Sequence, residues 1–179
     1  KGEPTLFPDQ LSRIVNELSE QQFPLIELQT NSIVFGEQKE KYLPYLKEWY
    51  DKGLTTIAIS VAHYDNEKNR EVFSPHKTSY PGLAETVSML HEIGYSVRIS
   101  CVMAKGYIDS VAELEKIISF SKENKVEQLT VRPVNKPKNS RDSSTYEWAA
   151  EHGIEENQIE SINRFLDENG HKMMDLSHG

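Results

Sequence analysis

The sequence has 179 residues, which is most simply one domain long enough to bury a core. Its formal net charge of −8 argues against a general nucleic-acid or membrane-surface binder, and no apolar run is long enough to span a membrane. A single cysteine, Cys101, excludes an internal disulfide and a cysteine-only metal site, so a reducing, cytoplasmic setting is the default expectation.

The first half of the chain alternates helical and strand patterns. After a loop over 1–8, a helix is predicted to begin at Pro8 or Asp9 and to end before Phe23 and Pro24. LIELQTN (25–31) predicts the first strand. The segment 36–53 is predicted to be helical, with a kink or a break at Pro44. TTIAISV (55–61) predicts the second strand.

The pattern continues in the second half. The polar stretch 63–82 is predicted to be a long loop, and a helix over 83–93 should end at Gly94. VRISCVM (97–103) predicts the third strand, followed by a helix capped by Asp109 or Ser110. QLTVRPVN (128–135) predicts the fourth strand. Beyond it the patterns predict a loop (136–145), two helices (146–150 and 155–169) and the start of a strand in the tail.

Strands that alternate with helices indicate a parallel sheet whose strand C-terminal ends share one rim, which is where such sheets bind ligands. VRISCVM has one apolar side and one that carries Arg98 and Ser100, and this pattern suits a barrel wall with helices outside and a ligand inside. The predicted fold class is therefore α/β, an incomplete parallel (βα) half barrel of about four strands with outer helices. The polar candidates at the rim are Thr30, Asn31, Ser60, Ser100 and Arg132, and Gly2 and Glu3 would join them if a strand precedes Lys1.

GEPTLFPDQL at the start of the chain resembles the Gly-Glu-Pro motif of the radical S-adenosylmethionine (radical SAM) enzymes, with Lys1 in place of the first glycine of GGEP. ELQTN, IAISV, VRISCVMAKGYIDS and LTVRPV resemble, in order, the third to sixth strands of the partial (βα)6 barrel of that family. The resemblance is to the branch that includes molybdenum cofactor biosynthesis protein A.

The resemblance implies S-adenosylmethionine and a [4Fe-4S] cluster as cofactors of the parent protein, which cleaves S-adenosylmethionine reductively and generates a 5′-deoxyadenosyl radical. Gly2, Glu3 and Pro4 would contact the methionine amino group. Ser60, Arg98 and Ser100 would contact the ribose and carboxylate, and Arg132 and Val134 would lie near the adenine end or the substrate. The cofactor-binding positions so implied are Gly2, Glu3, Pro4, Thr30, Asn31, Ser60, Arg98, Ser100, Arg132 and Val134.

The sequence departs from the family in lacking the CxxxCxxC loop that ligates the cluster, and Cys101 cannot replace three spaced thiolates. The chain is therefore expected to be a fragment, a single truncated barrel domain over 1–179 with a core over 1–135 and a helical extension over 136–179. Such a fragment should be inactive alone. Its substrate, a small molecule or a peptide, is not specified. An unpaired strand edge at 25–31 predicts self-association, a swapped element or a tail that folds onto that edge.

Simpler interpretations of the same residues stay open. Arg98 pairs with Glu27 across the sheet, Ser60 and Ser100 fill a barrel, Arg132 extends to the rim, and Cys101 is a buried small hydrophobe. Glu3 is a solvated loop carboxylate, and Asn31 adopts left-handed geometry at a turn. A metal pair of His63 and His76 is not expected, because no carboxylate or thiol spacing supports it. Two other functions remain, a non-catalytic nucleotide- or anion-binding half-barrel module and a non-radical (βα) enzyme.

Overall fold

The computed structural model of the chain describes residues 2–135 and 143–171. Four strands alternate with eight α-helices in the described part. The elements are α1 (Pro8–Glu20), β1 (Ile26–Thr30), α2 (Ile33–Glu37), α3 (Lys39–Asp51), β2 (Leu54–Val61), α4 (Asn66–Phe73), α5 (Leu83–Ile93), β3 (Ser96–Met103), α6 (Val111–Glu123), β4 (Gln128–Pro133), α7 (Ser143–Glu151) and α8 (Glu156–Asn169).

The strands form one parallel sheet in the order β1-β2-β3-β4, so each strand pairs with its neighbour in sequence. The predicted parallel α/β architecture with four strands is confirmed. In register, Ser60 lies beside Ser100, which lies beside Thr130. Because side chains alternate across a sheet, these three lie on the same face.

The apolar face of the sheet packs under the helices. Its side chains on β2 and β3 are fully or nearly fully buried and join one core with residues of α3, α5 and α6: Ile57, Ile59, Val61, Val97, Ile99, Cys101, Met103, Leu46, Trp49, Val87, Leu90, Leu114 and Ile117. Burial of this apolar surface is the main favourable term in the stability of the domain. It also fixes which side chains are left to line the opposite face.

The opposite face of the sheet is polar and is not covered by the described helices. Arg98 of β3 shows how this face is shaped, because its guanidinium forms an ion pair with Glu27 of β1 and donates to Thr130 Oγ1 of β4 at 3.4 Å. Neighbouring strands are about 4.8 Å apart, so β1 and β4 are separated by about 14 Å along the sheet. Contact of one side chain with both outer strands is consistent with a sheet that curves around this face.

Two predictions about the connections need correction. The break in the first connection lies at Gln38, between α2 and α3, and Pro44 lies inside α3, where it removes a single helical N–H donor. The stretch 63–82 is not all loop, because Asp65 Oδ1 accepts from Glu67 N and Lys68 N and caps α4. The helix was missed because its composition is polar.

The C-terminal elements follow the prediction in type. Helix α7 begins at Ser143, so Ser143, Ser144 and Thr145 are helical rather than part of the predicted loop. In α8, Ile162 is buried in the core, and Glu155 and Gln158 form a capping box at the helix start. Residues 136–142 and the predicted strand in the tail, beyond His171, lie outside the described residues. None of the described helices has the length and apolar character needed to cross a membrane.

Candidate functional site

Glu3 ties the Gly-Glu-Pro turn to the C-terminal end of β1. Its Oε1 accepts from Thr5 N at 3.1 Å and from the hydroxyls of Thr5 and Thr30 at 2.6 Å each. Its Oε2 accepts from Asn31 N at 2.9 Å. The expectation of a solvated loop carboxylate is therefore wrong. The carboxylate holds together two segments 27 residues apart in sequence, and we call this set of hydrogen bonds the Glu3 tie.

The residues around Glu3 are held in turn by buried contacts. Thr5 is fully buried, and its carbonyl accepts from the Tyr42 hydroxyl of α3 at 2.7 Å. Thr30 Oγ1 accepts from Ser32 N at 2.9 Å, and Asn31 Oδ1 accepts from Ile33 N at 3.1 Å. The residue with left-handed geometry here is Ser32, with φ of 58°, rather than Asn31. The end of β1 is thus rigidly shaped by side-chain and backbone hydrogen bonds.

A cleft of about 580 Å³ opens beside this tie, and it has the size of typical small-ligand sites. Its lining is made by the turn, the ends of β1 and β2, and the last residue of α4: Gly2, Glu3, Pro4, Gln29, Thr30, Asn31, Ser60 and Phe73. Six of these are positions that the sequence predicted. Gln29 and Phe73 are additional, and Phe73 was missed because α4 was predicted to be loop.

Ser60 lines the cleft and accepts one hydrogen bond from a neighbouring side chain. Its Oγ accepts from Gln29 Nε2 at 3.4 Å, which leaves the Ser60 hydroxyl proton free to donate to a ligand. Gln29 and Ser60 share the uncovered face of the sheet. The mixed polar lining and the Phe73 ring therefore suit a ligand with both hydroxyl or carboxylate groups and an apolar portion.

The other predicted site residues do not line this cleft. Arg98 is the third residue of the eight-residue strand β3, so it lies nearer the N-terminal end of the sheet, where it pairs with Glu27. Ser100 lies on the uncovered face beside Ser60 and is half-buried. Arg132 lies near the end of β4, exposed on the same face. Val134 N donates to Met103 O at 2.8 Å, just past β4.

His63, just after β2, belongs to a second polar cluster that the sequence did not reveal. It is buried, its Nδ1 accepts from Asp65 N at 3.0 Å, and its Nε2 lies 3.3 Å from Glu113 Oε2 of α6. This arrangement places the ring proton on Nε2 in the neutral form. The fully buried Asn69 holds the His63 backbone, accepting from its N–H at 3.0 Å and donating to its carbonyl at 2.6 Å.

The protonation of the His63 cluster is set by burial and by neighbouring charges. Burial lowers the pKa of His63, and this outweighs the opposing effect of the Glu113 carboxylate. The pKa of Glu113 is lowered chiefly by its hydrogen bond with Lys116. Across the described residues, no group of three or more His, Cys, Asp and Glu side chains is placed to hold a metal ion, and His76 is exposed.

The two cofactors implied by the resemblance fit this chain differently. The cleft offers a carboxylate, a hydroxyl and an aromatic ring, which suit a ligand such as S-adenosylmethionine. An iron–sulfur cluster needs spaced thiolates, and the sequence has one cysteine. Cys101 is buried among apolar side chains of the core, and burial raises the pKa of its thiol to about 12. The residues of this chain therefore do not fit a cluster.

Comparison with known proteins shows the fold but not the family. No model of a protein family matches the sequence, and no curated protein matches it. A similar solved structure is that of methylornithine synthase (PylB), with a TM-score of 0.50 and 12% sequence identity over 90% of this chain. The match covers 53% of that protein, so the chain spans about half of its length. The likeness supports the predicted incomplete (βα) barrel.

The Glu3 tie should contribute measurably to stability. Replacement Glu3→Gln puts an amide NH2 group in place of one carboxylate oxygen, so one backbone donor, Thr5 N or Asn31 N, loses its acceptor. We expect the free energy of unfolding to fall by about 1–3 kcal/mol, as measured by urea denaturation at pH 7. Glu20→Gln, at an exposed position at the end of α1, is the matched control and should change little. Equal stability of the two variants would contradict the tie.

Burial of His63 should make stability depend on pH. Its pKa in the folded state lies below 6.5, so the unfolded state binds the proton more readily. The stabilisation is complete above pH 6.5 and is lost progressively as the pH falls through and below that value, with a slope of at most about 1.4 kcal/mol per pH unit. Urea denaturation between pH 7.5 and 5.5 should show a smaller slope for His63→Gln than for the wild type. His76→Gln should keep the wild-type slope, and a slope unaffected by His63→Gln would refute the assignment.

Proposed function

We propose that this sequence is part of a radical S-adenosylmethionine enzyme and that its cleft binds S-adenosylmethionine. The observation that carries the proposal is the Glu3 tie, which brings the Gly-Glu-Pro turn to the Thr30–Asn31 end of β1. These are two of the segments on which the family resemblance rests. The fold shared with methylornithine synthase supports the same proposal. The narrower resemblance to the branch of molybdenum cofactor biosynthesis protein A stays a prediction.

In this proposal the residues of the chain bind and orient the cofactor. Glu3 Oε2 has one protein donor, Asn31 N, so it retains acceptor capacity for the methionine ammonium group. The Ser60 hydroxyl, held by Gln29, is free to donate to a ribose oxygen or to the carboxylate. Gly2 and Pro4 complete the wall of the cleft, and Phe73 supplies its aromatic surface.

The radical chemistry depends on a group that this chain does not hold. In the family, a [4Fe-4S] cluster supplies the electron that cleaves S-adenosylmethionine to methionine and a 5′-deoxyadenosyl radical. With one buried cysteine in this sequence, the proposal requires the cluster ligands to come from polypeptide outside it. The same cysteine content is the reason to expect a reducing, cytoplasmic location.

Calorimetry with S-adenosylmethionine tests the proposed cleft. We expect measurable binding, and Ser60→Ala should weaken it about 3- to 10-fold, which is the range for one hydrogen bond. Ser88→Ala removes a hydroxyl on the exposed side of α5 and is the matched control. Absence of binding by the wild type, or equal affinity of the Ser60→Ala variant, would contradict the proposal.

The cysteine content also favours a second candidate function, a non-catalytic nucleotide- or anion-binding half-barrel module. The two functions differ in what a longer polypeptide containing this sequence would do. If it is part of a radical enzyme, anaerobic reconstitution with iron and sulfide should give the visible absorbance of a cysteine-ligated cluster. A colourless longer protein that still binds S-adenosylmethionine would favour the binding module.

We further propose that the outer edge of β1 pairs with a second copy when this chain is alone. Among the described residues no strand lies on that edge, and Phe23 and Leu25 just before β1 are more than half exposed. Open edges with apolar neighbours form new strand pairs.

Sedimentation equilibrium should therefore show self-association that Leu25→Lys weakens, because a charge opposes burial of the edge. Leu166 on α8 is also exposed, and Leu166→Lys is the control that should associate like the wild type. A monomer at all concentrations would contradict the proposal, and so would equal weakening by both variants.

A further inference from the structure

Charged residues are rare in the sheet, and they share one face. The four strands contain three of them, Glu27, Arg98 and Arg132. Strand register and side-chain alternation place all three on the uncovered face. The remaining side chains of this face are neutral and mostly polar or small, such as Ser60, Ser100 and Thr130. A charge on such a face attracts or repels any charged ligand that binds against it.

The two arginines on this face differ in their partners. Arg98 is neutralised by the Glu27 carboxylate and also donates to Thr130. Arg132 has no acidic partner among the described residues, and its side chain is exposed. An arginine guanidinium binds carboxylates and phosphates bidentately. Among the described residues of this face, the Arg132 guanidinium is therefore free to bind an oxyanion.

The position of Arg132 separates it from the proposed cofactor cleft. The cleft is formed at the ends of β1 and β2, whereas Arg132 is the fifth residue of the six-residue strand β4, beside Val102 of β3. Strands β2 and β4 are separated by about 10 Å, twice the spacing of neighbouring strands. Arg132 thus lies on the same face of the sheet as Ser60, on the part of that face that the proposed cofactor would not cover.

We infer that Arg132 binds an oxyanion of the substrate, so that the substrate is a carboxylate or a phosphate. The inference rests on the proposed function, because that function assigns the cleft at β1 and β2 to the cofactor. The chain as a whole carries a net charge of −8, which repels anions in general. Selection of an anionic substrate then needs a local cation without an acidic partner, and Arg132 meets this requirement among the residues that the structure describes.

The test uses amide NMR spectra of the 15N-labelled chain, titrated separately with inorganic phosphate and with malonate at constant ionic strength. We expect saturable shifts in the amides of 100–103 and 130–132 with one or both anions. Arg132→Gln should weaken this binding at least about 10-fold, as expected for a lost charge-assisted contact. The matched control is Arg13→Gln, which removes the same charge from an exposed position on α1. A lower dissociation constant for one anion, obtained from the concentration dependence of the shifts, identifies that class of substrate.

Three results would overturn the inference: no saturable shift in these strands with either anion, equal weakening by Arg13→Gln and Arg132→Gln, or a loss of S-adenosylmethionine affinity in Arg132→Gln like that in Ser60→Ala. The last result would assign Arg132 to the cofactor. If the wild type binds the anions at Arg132 but does not bind S-adenosylmethionine, the proposed function fails while the oxyanion site stands.

Discussion

The structure depends on the alternation of side chains along a parallel sheet whose helices cover a single face. The strands place apolar residues such as Ile57, Ile59, Val97 and Ile99 under the helices, where they are fully buried. A one-residue shift of any strand would move this set to the other face, so the register is strongly specified. Every polar side chain on the uncovered face owes its position to this constraint. The core and the candidate binding surfaces are therefore two sides of one pattern.

The second organising feature is the carboxylate of Glu3. Thr5 and Thr30 bury hydroxyl groups, and a buried hydroxyl without a partner is costly. Glu3 satisfies both of them and also receives the backbone N–H of Asn31. The same carboxylate thereby stabilises the fold and shapes the wall of the cleft. These hydrogen bonds of Glu3 hold the Gly-Glu-Pro turn against the C-terminal end of β1.

The uncovered face of the sheet, together with the cleft, has two chemically different halves. The half near β1 and β2 has hydroxyl, amide and aromatic groups and suits the proposed cofactor. The half near β3 and β4 has the guanidinium of Arg132, which lacks an acidic partner in the described part of the chain, and suits an anionic group. Toward the N-terminal end of the sheet, Arg98 and Glu27 form an ion pair that neutralises both charges. Ligands are thus expected to enter from the C-terminal rim, as in other parallel α/β folds.

The sequence by itself determined the order of strands and helices, the parallel sheet and the grouping of Thr30, Asn31 and Ser60, because these follow from local periodicity and from the common rim of parallel strands. Gly2 and Glu3 were candidates through their resemblance to the Gly-Glu-Pro motif. It did not reveal α4 with Phe73, since a short polar helix has no apolar period. It left open whether Arg98 faces a ligand or Glu27, and whether Arg132 has an acidic partner among the residues that the structure describes. Only the tertiary structure decided these points, because ion pairs and burial depend on distances between residues far apart in the chain. The contact of the buried, neutral His63 with Glu113 was likewise decided only by the tertiary structure, because it arises from the packing of helices that sequence spacing does not specify.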